Sequence, residues 1–190
     1  MIRAFIAIEL KENETLEKIQ SFSTRLQQNQ PKLKLVEPEN LHMTVKFLGN
    51  ISESIAAKIY KLLNEEINEK IFEGKTLKYF LKGAGQFNRY SVIWLKLIGD
   101  IPFLQKVKNE VETLLDEKLK IARDKRSEFK PHLTIGRLKK DKINYKNFDI
   151  FKKLINENKN VEFGPFLVKE IKLKKSILTP KGPIYSDLVY

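Results

Sequence analysis

The chain holds two histidines, and each opens the same short pattern: His42-Met43-Thr44-Val45 and His132-Leu133-Thr134-Ile135 both read His, apolar, Thr, apolar, 90 positions apart. With seven threonines in 190 residues, chance places a Thr two residues after both histidines about once in seven hundred sequences. Alternation with a period of two makes each a strand whose His and Thr project from one face. Side by side, two such strands aim two imidazoles and two hydroxyls into one space. Imidazoles titrate near neutrality, so one serves as base while the other, protonated, serves as acid. A threonine hydroxyl donates to an anionic oxygen without adding charge. This equipment suits a phosphodiester, with proton transfer at both ends of the displacement and the nonbridging oxygens held by the hydroxyls.

The elements that must position these strands follow from periodicity and punctuation. Residues 1–9 read as a first strand, too quickly charged for a signal peptide. Glu12 to Gln30 is helical, with Leu16, Ile19, Phe22 and Leu26 on one stripe, and Pro31 stops it. Leu41 to Phe47 is the first His strand. A helix capped by Ser52 or Ser54 runs to about Phe72, and Gly74 ends it. Thr76 to Leu81 and Ser91 to Ile98 form a strand pair around a glycine-rich turn. Pro102 opens a helix to about Lys120. Pro131 to Leu138 is the second His strand, followed by a helix at Phe148 to Asn156 and strands from Glu162 to Leu178 and Ile184 to Val189. This order resembles one unit used twice, each half carrying one His-x-Thr strand. No linker-like stretch divides residues 1–190, so a single domain of two lobes around a cleft is expected.

Composition narrows the chemistry. The chain has no cysteine, which excludes disulfides and thiolate metal sites. No apolar run approaches the ~18 residues of a membrane span, so a cytoplasmic protein without membrane attachment is expected. The net charge of +12 favours a polyanionic partner, although lysine also simply solvates surfaces. Lys169, Lys172, Lys174, Lys175 and Lys181 gather near the closing strands, and Arg123, Lys125, Arg126, Lys139, Lys140 and Lys142 flank the second motif. Other signals fail. Gly74-Lys75-Thr76 lacks the earlier glycine of a P-loop, where Glu69 stands, and Gly83-Ala84-Gly85 lacks the third glycine of a dinucleotide fingerprint, where Asn88 stands. Two histidines with scattered carboxylates make a poor metal site, so no metal is expected.

The chain resembles the two-histidine (2H) phosphoesterase superfamily, in particular the RNA 2',3'-cyclic phosphodiesterases also known as LigT-like 2'-5' RNA ligases. The likeness is carried by Arg3-Ala4-Phe5-Ile6-Ala7-Ile8, by the stretch from Pro38 to Gly49, by Gly83-Ala84-Gly85-Gln86-Phe87, by Phe129 to Arg137 and by Ser176 to Tyr185. It implies a bilobal α+β fold in which two antiparallel sheets face a central cleft with helices outside. It also implies metal-independent, cofactor-free opening of a 2',3'-cyclic phosphate at an RNA 3' end, tRNA fragments included, by a monomer. Carried over by position, His42 is the proton donor, His132 the proton acceptor, and Thr44 and Thr134 hold phosphate. Arg137 stands where the family often has a basic phosphate contact. Strict alternation turns it away from the His132 face unless Gly136 marks a bulge. Lys46 falls on the His42 face by the same alternation and is a candidate substrate contact. Phe5 and Phe129 are candidate base-stacking residues, with core packing as their alternative role. Tyr185 matches a family position near the closing strand. Joining the cyclic end to a 5'-hydroxyl as a 2'-5' linkage, or noncatalytic RNA binding, are the competing readings.

Overall fold

The computed structural model describes residues 1–125, 129–179 and 182–190. Arg126 and Lys181, which the sequence places in the basic clusters, lie outside the described residues, as does Pro180. Among the described residues nine strands run in chain order: β1 Ile2–Glu9, β2 Lys34–Leu35, β3 His42–Ile51, β4 Leu77–Phe87, β5 Val92–Ile98, β6 His132–Arg137, β7 Glu162–Val168, β8 Lys172–Thr179 and β9 Gly182–Asp187. The helices are α1 Asn13–Asn29, α2 Glu53–Leu62, α3 Ile101–Leu119 and α4 Phe148–Glu157. No helix among the described residues is long and apolar enough to cross a membrane.

All strand pairs are antiparallel and follow the order β7-β4-β5-β6-β3-β1-β8-β9, with β2 adding to β6. The expected two sheets are thus halves of one sheet, and β3 and β6 join them at Met43 and Leu133. One lobe is β3-β1-β8-β9, built from both ends of the chain. The other is β7-β4-β5-β6, built from its middle. The end of the chain returns to its start: β8 pairs with β1, and β9 with β8.

Each helix follows from its apolar stripe. Ile19, Phe22 and Leu26 of α1 are buried, and the Thr15 hydroxyl donates to the Pro165 carbonyl at 2.8 Å. Ser52 caps α2 by accepting from the Ile55 N–H, and Asp100 caps α3 by accepting from the Phe103 N–H. The helix expected to reach Phe72 is α-helical only to Leu62 and continues as a π-helix, Leu63–Phe72. There the Asn68 side chain bonds both the N–H and the carbonyl of Ile171. The glycine-rich run expected to be a turn is the end of β4. The reversal falls one step later, where Asn88, Arg89 and Tyr90 take positive φ. The core cluster takes alternate residues of β1 (Ile2, Ala4, Ile6, Ile8), Met43 and Val45 of β3, and Leu133 and Ile135 of β6. The histidines and threonines are left on the opposite face.

Candidate active site

Met43 and Leu133 pair antiparallel, so position 42 falls beside 134 and position 44 beside 132. Each threonine neighbours the other lobe's histidine. All four residues are half-buried.

The histidines are held in matching ways. His42 Nδ1 lies 2.6 Å from the Asn40 carbonyl, and His132 Nδ1 lies 2.7 Å from the Lys130 carbonyl. A carbonyl only accepts, so Nδ1 carries a proton in both rings and Nε2 is the atom that titrates. Each ring is also walled by aromatics. Phe5 lies 4.9 Å and Tyr185 5.2 Å from His42, centre to centre. Phe87 lies 5.1 Å and Trp94 6.2 Å from His132. Gly85 makes the second wall feasible, since a Cβ there would lie 2.3 Å from the Trp94 ring. Burial pushes the His42 pKa below its ordinary 6.5; the Asn40 carbonyl and Glu9 oppose this, while Lys174 and Arg137 reinforce it.

A bulge follows each motif at the same offset. β1 pairs Ala7 with Thr44 and Ile6 with Lys46, skipping Val45. β5 pairs Trp94 with Thr134 and Ile93 with Gly136, skipping Ile135. Beyond each bulge the faces exchange. Arg137 therefore returns to the His132 face, where it is exposed and near enough to act on both His42 and Tyr185. The re-aiming anticipated at Gly136 occurs, one residue earlier. Phe47 takes the equivalent place after His42, 57% exposed and 6.4 Å from Phe5.

The first bulge corrects the expectation for Lys46, which turns away from His42 into a buried network. Its Nζ is 2.6 Å from Glu112 and 3.0 Å from the Ala122 carbonyl. Lys108 joins Glu112 at 2.9 Å, Asp124 at 2.8 Å and the carbonyl of the bulged Val45 at 3.3 Å. The network thus ties β3 and α3 to the loop that leads into β6. Phe129 belongs to it as well, 5.7 Å from Lys108 Nζ and packed on the core, so it faces no cleft. Phe5 is 4% exposed and supports His42, leaving no face for a base.

The basic clusters are likewise partly spent. Lys172 and Lys174 are held by Glu9 and Asp187, Arg123 by Asp116, and Lys142 by Asp141. Three cleft aromatics, Phe47, Phe87 and Trp94, were not singled out as site residues, nor was Arg3. Arg3 joins Arg137 in opposing the upward push of burial on the Tyr185 phenol. The alternation Arg3-Ala4-Phe5 was the available signal for Arg3, since Phe5 faces the site.

Comparison with known proteins shows the family and the fold of the chain. Residues 4–186 match a sequence family described as the AKAP7 2'5' RNA ligase-like domain. A Methanocaldococcus jannaschii protein named RNA 2',3'-cyclic phosphodiesterase is 39% identical over 97% of this chain and 96% of its own. A Methanothermobacter thermautotrophicus protein of the same name is 34% identical over 98% of this chain and 96% of its own. The crystal structure of Escherichia coli LigT complexed with 3'-AMP superposes with a TM-score of 0.72 at 23% identity, covering 99% of this chain and 95% of that one.

Proposed function

The chain belongs to the 2'5' RNA ligase-like family of 2H phosphoesterases, and we propose that it hydrolyses RNA 2',3'-cyclic phosphate ends to 2'-phosphates. The observation that carries this reading is the matched fixing of two imidazoles, each with Nδ1 committed to a carbonyl and Nε2 left to move a proton.

Water attacks the phosphorus of the cyclic ester while His132 Nε2 takes its proton. The bond from phosphorus to the 3' oxygen breaks, and His42 Nε2–H delivers the proton that the departing oxygen needs. The product is a 2'-phosphate with a free 3'-hydroxyl, and the two histidines have exchanged protonation states. Thr44, Thr134 and Arg137 stabilise the charge that builds on the nonbridging oxygens. The ring strain of a five-membered cyclic ester and the orientation of the reacting groups let proton transfer and anion stabilisation suffice. A 5'-hydroxyl in place of water would yield a 2'-5' linkage with the same pair. The relatives named RNA 2',3'-cyclic phosphodiesterase support RNA as the substrate. A monomer acting in the cytoplasm on RNA termini, those of tRNA fragments among them, completes the reading.

The test is to incubate an RNA ending in 2',3'-cyclic phosphate with the protein in EDTA and identify the terminal phosphate. A 2'-phosphate is expected, and its formation should vanish in His42→Ala and in His132→Ala. Unchanged substrate from folded protein would refute the proposal and favour a noncatalytic RNA-binding module.

A further inference from the structure

The cross-strand neighbours of the two histidines are opposite in charge: Glu9 pairs with His42 and Lys96 with His132. The contrast widens further out. Beside His42, Lys174 bonds Glu9 and lies 2.6 Å from Asp187, while Lys172 lies 3.0 Å from Glu9 and 2.8 Å from Asp187. Burial pushes both carboxyls up, but hydrogen bonds from the two lysines outweigh it and hold them below their ordinary values. They stay ionised at neutral pH, so these four charges cancel; Arg3, close enough to act on Tyr185, adds a cation on this side.

Beyond His132 the lysines are not neutralised. Leu77, Tyr79 and Leu81 of β4 face the core, so Lys78, Phe80 and Lys82 line the other face. The pairing of β4 with β5 slips between Leu81 and Ala84, and Gly83 confirms the direction at this bulge: its φ is +90°, and a Cβ there would lie 2.4 Å from the Lys159 carbonyl just past α4. Gly83 thus points to the helix layer and Lys82 to the cleft side. Lys78, Lys82 and Lys96 are exposed, and no ion pair joins any of them to a carboxylate among the described residues. Glu162, opposite Lys82 on β7, is exposed on the same face without an ion pair to it. Lys78 Nζ sits 5.1 Å from the half-buried Phe80 ring. Cations interleaved with an aromatic make a platform for single-stranded nucleic acid, since phosphates take the charges and any base takes the ring.

We propose that the RNA chain on the 5' side of the reacting nucleotide leaves the cleft across this half of the sheet, with its phosphates on Lys96, Lys82 and Lys78 and one unpaired base on Phe80. The path runs about 10 Å from the His132 strand to β4 and about 13 Å along β4 from Lys82 to Lys78. Stacking needs an unpaired base, so the preferred substrates are RNAs with a single-stranded 3' end. This inference rests on the activity proposed above.

The experiment compares kcat/KM for 2',3'-cyclic AMP with that for a short single-stranded RNA ending in 2',3'-cyclic phosphate. The wild type is expected to prefer the RNA, by a margin that shrinks with salt. Lys78→Ala/Lys82→Ala should lower kcat/KM for the RNA roughly tenfold at low salt and flatten its logarithmic salt slope by about 1.4. Cyclic AMP turnover should change less than about twofold, as expected for an electrostatic effect confined to the phosphates of the longer chain. Phe80→Ala should lower RNA turnover with the salt slope unchanged, because stacking releases no counterions. Lys58→Ala/Lys118→Ala removes the same charge from remote surface and should leave RNA turnover unaltered. Equal losses on both substrates, or no loss on the RNA, would overturn the path. If the wild type leaves both substrates intact, the proposed activity itself fails.

Discussion

His42 sits between Phe5 and Tyr185 beside a neutral group of four charges, whereas His132 sits between Phe87 and Trp94 beside an unneutralised lysine. The backbone treats the two alike: same carbonyl contact, same bulge, same burial rhythm. The side chains beyond the bulges break the symmetry. Arg137 lines the cleft in one lobe and Phe47 in the other, while a buried Lys46 stands where the second lobe has Gly136. A symmetric scaffold supplies two interchangeable imidazoles. Its surroundings differ between the lobes in charge and in the aromatic walls.

The strongest test of equivalence is to remove each imidazole. His42→Ala and His132→Ala should each lower kcat by about 10²–10⁴-fold, with the double variant hardly worse, because the two act as a unit. A single variant that keeps nearly the wild-type kcat would show that one lobe can work without the other. Lys46→Met should lower unfolding free energy by about 1.5–3 kcal/mol, read by urea denaturation, because it removes one of the two lysines that hold the buried Glu112 and leaves Lys108 to hold it alone. At the equivalent position in the second lobe, the Cβ of Gly136→Ala has as its nearest atoms Leu33 side-chain carbons at 3.2 and 3.4 Å and the Lys34 carbonyl at 3.5 Å, and the change should cost less. Thr44→Val and Thr134→Val should each reduce kcat by about 10–100-fold, as for lost donors to a developing anion. Arg137→Met should fall in the same range, whereas Phe47→Leu should cost little with a cyclic mononucleotide.

The smallest effect is a shift in pH. Burial lowers the His42 pKa from 6.5, so one limb of the kcat/KM profile lies below about 6.5. Tyr185→Ala lets water reach the ring and raises its pKa, so that limb should move to higher pH while the other stays in place. A profile that does not move would show that burial of His42 sets neither limb.

Much of this was legible in the residues. Two histidines in matching alternating contexts announced paired strands, and the missing cysteines confined the chemistry to imidazole, hydroxyl and cation. Helix limits followed from Pro31, Ser52 and Pro102 because caps and breakers act over a few residues. Lys46 was illegible, and Arg137 legible only through Gly136, for a shared reason. Each lies beyond a bulge, and a bulge is defined by two residues facing one on a partner strand from elsewhere in the chain. Gly85 showed its purpose only once Trp94 lay across it.

By itself the sequence determined the reactive groups, the strands that carry them and the excess of positive charge, all of which rest on residue type and local period. The tertiary structure alone decided that the first and last strands share a lobe, that Lys46 is buried while Arg137 is not, and which lysines remain unneutralised. Those outcomes depend on strand pairing and on carboxylates distant in the chain, and no local pattern encodes either.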